Sequence, residues 1–349
     1  MRIIMLRRLT PVTILVILFS CSKSEWVPIE SDGGAADIEY KLTTYFTGDS
    51  ADVVTPTQSG ICLMGGSTDV DSAIAWMIDH SGGGDFVVIR SSGSDGYNDY
   101  IYSDLGGVNS VETIIINSKT KAKKQEVYNK IVNAEALFIA GGDQWDYVRY
   151  WKNTKTEDAI NYLINTKHAP VGGTSAGCAI LGQVYFSAEN GTVTSSEAMK
   201  NPYRSTVTLG KNDFVNIPIL DQTITDTHYD NPDRRGRHVT FLARMVQDWG
   251  LDAKGIGLDE KTAVCIDENN VATVFGSGTA HFLRQNGQGP EVCQPNIKLT
   301  WNRSNQAIKV YEIDGSPTGN GTFNLTDWST ATGGSWLYYY VDDGTFHKN

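Results

Sequence analysis

The chain has 349 residues, 40% of them hydrophobic and 20% charged, with a formal net charge of −11. That length buries a substantial core, either as one large α/β domain with an addition or as two domains. The acidic balance, which deepens if Arg2, Arg7 and Arg8 are removed with a leader, excludes nucleic acid as an expected partner.

Residues 1–20 begin basic and carry an apolar run at 12–19, too short to cross a bilayer comfortably and long enough for the core of a signal peptide. Leu18-Phe19-Ser20-Cys21 resembles the bacterial lipobox, so the expectation is a lipid-anchored protein starting at Cys21, held in the cell envelope through a polar tether over 21–40. A secreted protein is the alternative. Cys62 and Cys265 sit inside apolar runs and read as small buried hydrophobes, and the spacing of Cys62, Cys178, Cys265 and Cys293 establishes no disulfide.

From residue 60 the pattern is that of alternating strands and helices. Apolar runs at 61–64, 85–89, 111–116 and 136–140 read as strands, with helices expected over 70–78 and 121–132. Continuous apolar strands of this kind predict a mainly parallel sheet with helices on both faces, whose ligands bind beyond the carboxyl ends of the strands. Gly65-Gly66-Ser67-Thr68-Asp69 at one such end lacks the spacing of a nucleotide-binding loop. Residues 91–102, carrying Asp95, Tyr97, Asn98, Asp99 and Tyr100, form a loop that is either solvated or faces a substrate.

Gly172-Gly173-Thr174-Ser175-Ala176-Gly177 closes a further apolar run and reads as a nucleophile elbow, in which a strand turns sharply into a helix and glycine is needed on both flanks of the serine. A helix opening at Ala176 would direct a free N–H at a developing oxyanion. Residues 183–220 read as an excursion from the sheet. A strand resumes at 224–229, Asn231-Pro232-Asp233 opens a helix, and short strands follow at 255–260, 262–267 and 271–275. From about residue 290 the pattern is β only, at 297–301, 307–313 and 336–341, which suggests a small C-terminal β appendage over 290–349 beside a catalytic domain over 41–289.

A serine nucleophile needs a base, and the base needs a third group to orient it. Of the six histidines, His228 alone ends a strand on the edge of Ser175. Glu260, Glu197 and Glu189 compete for the third place, and spacing does not choose among them.

Gly141-Gly142-Asp143-Gln144, the elbow, Asp226-Thr227-His228-Tyr229, Gly236-Arg237 and 255–263, in that order, resemble the cyanophycinase and dipeptidase E family of serine peptidases. The resemblance implies an α/β sandwich related to class I glutamine amidotransferases. It implies Ser175 as nucleophile, His228 as base and Glu260 as the orienting acid. It further implies oxyanion donors at Ala176 and Gly142, and substrate contacts from Gln144, Asp226, Arg234 and Arg237. No metal or organic cofactor is expected. The substrate implied is a peptide or isopeptide rich in aspartate. Thr227, Pro232 and Asp143 depart from the family's glutamine, arginine and asparagine, so the resemblance carries the chemistry further than the substrate. An aspartyl dipeptidase, an esterase or acyl transferase using the same elbow, and a non-catalytic surface lipoprotein that binds peptides are the alternatives. The oligomeric state stays open, a homodimer included.

Overall fold

The computed structural model describes residues 41–349; Cys21, the expected signal peptide and the tether lie outside the described residues. Among the described residues, eighteen strands follow one another. The first nine are β1 (Thr43–Gly48), β2 (Ile61–Met64), β3 (Asp85–Arg90), β4 (Ser110–Ile115), β5 (Ala136–Ile139), β6 (Val171–Thr174), β7 (Val184–Phe186), β8 (Leu209–Lys211) and β9 (Thr223–Asp226). The others are β10 (Lys254–Leu258), β11 (Thr262–Ile266), β12 (Val271–Gly276), β13 (Thr279–Gln285), β14 (Ile308–Asp314), β15 (Asn320–Asn324), β16 (Ala331–Thr332), β17 (Ser335–Asp342) and β18 (Thr345–Lys348).

They build two sheets. The first runs β1-β4-β3-β5-β6-β2-β11-β12-β15-β16, and the second runs β18-β17-β14-β13-β10-β9-β7-β8. Alternate residues of the first sheet fill two different cores, as the period of a strand requires. Leu63, Val87, Ile89, Leu137 and Val264 join one core with Ile256, Leu258 and Phe282 of the second sheet, while Met64, Phe86, Val88 and Phe138 pack on Ile74 and Met77 of helix Asp71–His80. On the far face of the second sheet, helix Arg235–Trp249 buries Val239, Leu242 and Met245. The mixed α/β class is therefore as expected, and Cys62, Cys178, Cys265 and Cys293 are buried free thiols.

Several expectations need correction. Parallel pairing joins β4, β3, β5, β6 and β2 in the first sheet, and β10, β9 and β7 in the second; the remaining strands pair antiparallel, so the sheets are not mainly parallel. The cause is burial. β10 and β11 are covered on both faces, so they show continuous apolar runs without the alternation that usually marks antiparallel strands. The strands after residue 290 are not an appendage, because β14 pairs β13 and β15 pairs β12, extending both sheets.

The excursion over 183–220 contains β7, β8 and helix Ser195–Lys200, its strands being too short at three residues each to show a period. The helix expected over 121–132 is two helices, Lys119–Ala122 capped by Ser118, and Gln125–Asn133. Pro232 precedes the helix it was expected to open, which starts at Arg235. Residues 297–301 hold only isolated bridges, from Thr300 to Val292 and from Trp301 to Val341.

Candidate active site

Four strand ends converge on one place. Ser175 follows β6 in the first sheet with φ 51°, a conformation that costs a non-glycine residue free energy and marks a sharp strand-to-helix turn. Its neighbours show why glycine flanks it. A Cβ at Gly173 would lie 2.6 Å from the Gly177 carbonyl carbon, and one at Gly177 would lie 2.1 Å from the Ile139 oxygen. Helix Ala176–Ala179 begins at the next residue. From the second sheet come His228, two residues beyond β9 and at φ 48°, and Glu260, in the turn where β10 crosses over into β11.

Backbone bonds tie these ends together. Met64 accepts from the Ser175 N–H at 3.1 Å, Gly65 from the His228 N–H at 2.8 Å, and Gly66 from the Lys261 N–H at 3.0 Å. The Glu260 N–H donates to Asp230 Oδ1 at 3.0 Å.

Ser175 Oγ lies 2.8 Å from His228 Nε2, and His228 Nδ1 lies 2.7 Å from Glu260 Oε1. The hydrogen bond with His228, with smaller help from Asn231 and Ser67, holds the Glu260 carboxyl below its ordinary range. An ionised carboxylate only accepts, so Nδ1 carries the imidazole proton and Nε2 is left to accept from the serine hydroxyl. Glu197 and Glu189 stand elsewhere: Glu197 closes a capping box with Thr194 and pairs Arg204, and Glu189 lines a groove with Trp145 and Tyr185.

Behind His228, the glycines of β10 make room for rings. A Cβ at Gly257 would stand 2.6 Å from the Tyr229 ring, and one at Gly255 would stand 2.4 Å from His238 Nε2. Tyr229 and His238 are fully buried and meet at 3.1 Å between Nδ1 and the hydroxyl. The Gly255-Ile256-Gly257 spacing is thus a packing requirement one layer below the site.

The remaining expected site residues divide. A Cβ at Gly141 would lie 3.6 Å from Ser175 Cβ, and the Tyr147 hydroxyl lies within 2.8 Å of the Ala140 carbonyl and 3.1 Å of that of Gly141, which fixes the loop leading to Gly142. Gln144 donates one side-chain amide N–H to the Phe186 carbonyl, which leaves its Oε1 and second N–H for a ligand. Arg234, half-buried, gives one bond of 3.0 Å to the Thr227 carbonyl beside His228.

Asp226 and Arg237 correct the expectation that they contact substrate. The Arg237 Nε–H donates to Asp226 Oδ2 at 2.9 Å, both side chains are 4% exposed, and the guanidinium lies over the Phe186 and Phe241 rings. Burial alone would raise the Asp226 carboxyl, but the Arg237 charge outweighs it and the group lies below its ordinary range. The pair belongs to the interior that carries the His228 turn.

Sequence reasoning also passed over Gly66. Its φ is +99°, and a Cβ there would fall 2.5 Å from His228 Nε2 and 3.0 Å from Ser175 Cβ. The glycine pair at the end of β2 was the available signal, and its rejection as a phosphate loop hid its steric role. In the loop over 91–102, Asn98 is structural, taking the Thr113 hydroxyl at 2.7 Å and giving its amide to Tyr45 and Val111 carbonyls. Tyr97 and Tyr100 fasten that loop to Asp69 and Asp71, both at 2.7 Å.

In sequence the chain is similar to several known proteins. A cyanophycinase from Synechococcus elongatus is 26% identical over 187 residues, covering 54% of this chain and 52% of that protein. One from Geminocystis herdmanii is 22% identical over 183 residues, 52% of this chain and 61% of that protein. The chain spans about half the length of the curated relatives it matches. A solved peptidase structure from an acI-B1 Actinobacterium aligns with 65% of this chain and 91% of its own at a TM-score of 0.47 and 15% identity. The sequence profile of peptidase family S51 matches residues 90–274, more than half of the 349 residues, and the chain belongs to that family.

Proposed function

We propose that this protein is a serine-type peptidase that hydrolyses aspartyl-containing peptides or isopeptides with Ser175, His228 and Glu260. The observation that carries the reading is the line from Ser175 Oγ through His228 to Glu260, 2.8 and 2.7 Å long, on two turns at positive φ. Ser175 Oγ attacks the amide carbonyl while His228 Nε2 takes its proton. Glu260 holds the imidazole by Nδ1 and stabilises the imidazolium that forms. Oxyanion stabilisation falls to the N–H of Ala176 and that of Gly142. His228 then returns the proton to the leaving amine, and water, deprotonated by the same imidazole, resolves the acyl-enzyme.

The substrate class rests on membership of family S51 and on the cyanophycinases among its relatives. We further propose that the mature protein is lipidated at Cys21 and works in the cell envelope, a reading that rests on the sequence of residues 1–21.

The test is hydrolysis of cyanophycin, β-Asp-Arg, α-aspartyl dipeptides and a simple ester by the form starting after Cys21, beside Ser175→Ala. Release of β-Asp-Arg from the polymer, or cleavage of the small aspartyl peptides alone, abolished in the variant, supports the reading and separates polymer hydrolysis from dipeptidase action. Turnover of the ester alone, or rates unchanged in Ser175→Ala, overturns it.

A further inference from the structure

Arg90 ends β3 on the same carboxyl edge of the first sheet that carries Ser175. Among the described residues its guanidinium makes neither a hydrogen bond nor an ion pair, and its Nε is buried without a partner. The other arginines at this end of the molecule are engaged: Arg237 with Asp226, Arg235 with Asp233, and Arg234 with the Thr227 carbonyl. Burying polar donors that nothing accepts is costly, so a half-buried guanidinium left open asks for a ligand.

The surroundings hold it in place without neutralising it. Arg90 Cζ lies 5.8 Å from the centre of the Tyr97 ring. Gly93 runs against it at φ +98°, where a Cβ would fall 2.5 Å from Cζ, so glycine lets this loop close on the guanidinium. A cavity of about 410 Å³ opens there, lined by Ser67, Asp69, Arg90, Tyr97 and Tyr100 among others. Asp69 is the acid within it, yet its Oδ2 takes the Tyr97 hydroxyl at 2.7 Å and it forms no ion pair with Arg90. Burial also pushes the Asp69 carboxyl up, which weakens it as a counter-charge.

The cavity adjoins the reacting groups. Ser67 is one residue from Gly66, where an added Cβ would fall 2.5 Å from His228 Nε2 and 3.0 Å from Ser175 Cβ, and the Ser67 side chain helps hold the Glu260 carboxylate. A peptide whose carbonyl reached Ser175 would therefore lay a neighbouring group into this space. Guanidinium binds carboxylate through two parallel N–H bonds, a geometry that amides and hydroxyls do not match.

We propose that Arg90 is a specificity-determining residue that binds a carboxylate of the substrate in the cavity between the Gly66 and Tyr97 loops, beside Ser175. The inference rests on the peptidase reading above and names a subsite of that same centre. The carboxylate comes either from an acidic side chain or from a free C-terminus, and both present the same two oxygens.

Binding to Ser175→Ala protein by calorimetry tests this without requiring turnover. Three ligands separate the sources: N-acetyl-aspartyl amide, N-acetyl-alanine with its free carboxylate, and the neutral N-acetyl-asparaginyl amide. One acidic ligand should bind roughly 10–100-fold tighter than the neutral one, the range for a hydrogen bond to a charged group. Adding Arg90→Gln should erase that preference while leaving the neutral ligand's affinity unchanged, and Arg90→Lys should retain part of it. Unchanged neutral binding also shows that the variant is folded. Equal affinity for all three ligands in the Ser175→Ala protein, or an acid preference that survives Arg90→Gln, overturns the proposal. Loss of hydrolysis by the parent enzyme would instead count against the peptidase reading and leave the binding result standing.

Discussion

Gly66→Ala tests the site with a single methyl group. The new Cβ would stand 2.5 Å from His228 Nε2, 2.7 Å from Cε1 and 3.0 Å from Ser175 Cβ. A carbon–nitrogen contact relaxes near 3.5 Å, so the imidazole must withdraw by roughly 1 Å. The Ser175–His228 separation of 2.8 Å then opens beyond the reach of proton transfer. General-base assistance contributes about 10²–10⁴-fold, and the rate at which a fluorophosphonate labels Ser175 should fall by that order. The backbone adds its own cost, because φ +99° at a residue with a Cβ is unfavourable by about 1–3 kcal/mol, a drop in Tm of roughly 1–4 °C for a chain of this size. Labelling kinetics and thermal melting of parent, Gly66→Ala and Ser175→Ala proteins read the two effects apart. An unchanged labelling rate in a folded Gly66→Ala protein would refute the reasoning, since it would mean that the imidazole can leave its place without consequence.

Glu260→Gln should lower kcat by about 10²–10⁴-fold with little change in KM, and because the Glu260 carboxyl already lies below its ordinary range the loss should be the same from about pH 5 to 8. Steady-state kinetics on the aspartyl substrate across that window check it. Arg237→Met strands Asp226 in the interior and should cost about 3–5 kcal/mol in urea unfolding. The folded Asp226 is depressed, so the pair's contribution is present above the ordinary carboxylate range and lost as pH falls through the folded value; the gap between parent and variant should narrow below about pH 4. His281 is buried, which lowers its affinity for a proton, but its contacts with Asp259 at 3.3 Å and Glu312 at 3.1 Å more than offset this and raise it. His281→Gln should therefore destabilise by about 3 kcal/mol at pH 5–6, with the difference shrinking as pH rises through the folded imidazole's value; equal loss at pH 5 and pH 9 would contradict the ion pairing.

What could be read from the sequence follows from what each signal encodes. The elbow was legible because a strained turn demands glycine at fixed offsets, and Gly173 and Gly177 each face backbone atoms nearer than a Cβ allows. His228 was legible because it ends a strand on the same edge as Ser175. Glu260 needed more than spacing, since its carboxylate comes from a crossover turn between two sheets, and nothing local distinguishes it from Glu197, which caps a helix. Asp226 and Arg237 look like site residues in one dimension because a buried ion pair and a ligand-binding pair use the same letters; only burial tells them apart. Arg90 and Gly66 were hidden for the opposite reason, each being an ordinary residue whose meaning lies in what the fold places beside it.

Ser175 belongs to one sheet, while His228 and Glu260 belong to strand ends of the other. The strands of those two sheets interleave along the chain, the first drawing on β1 to β16 and the second on β7 to β18. The centre is therefore assembled only once strands of both sheets are in place. A ribosome that has delivered only the nucleophile has delivered an inert serine, and a fragment that ends before His228 inherits no base. On the peptidase reading proposed above, hydrolytic competence would therefore report completion of the fold.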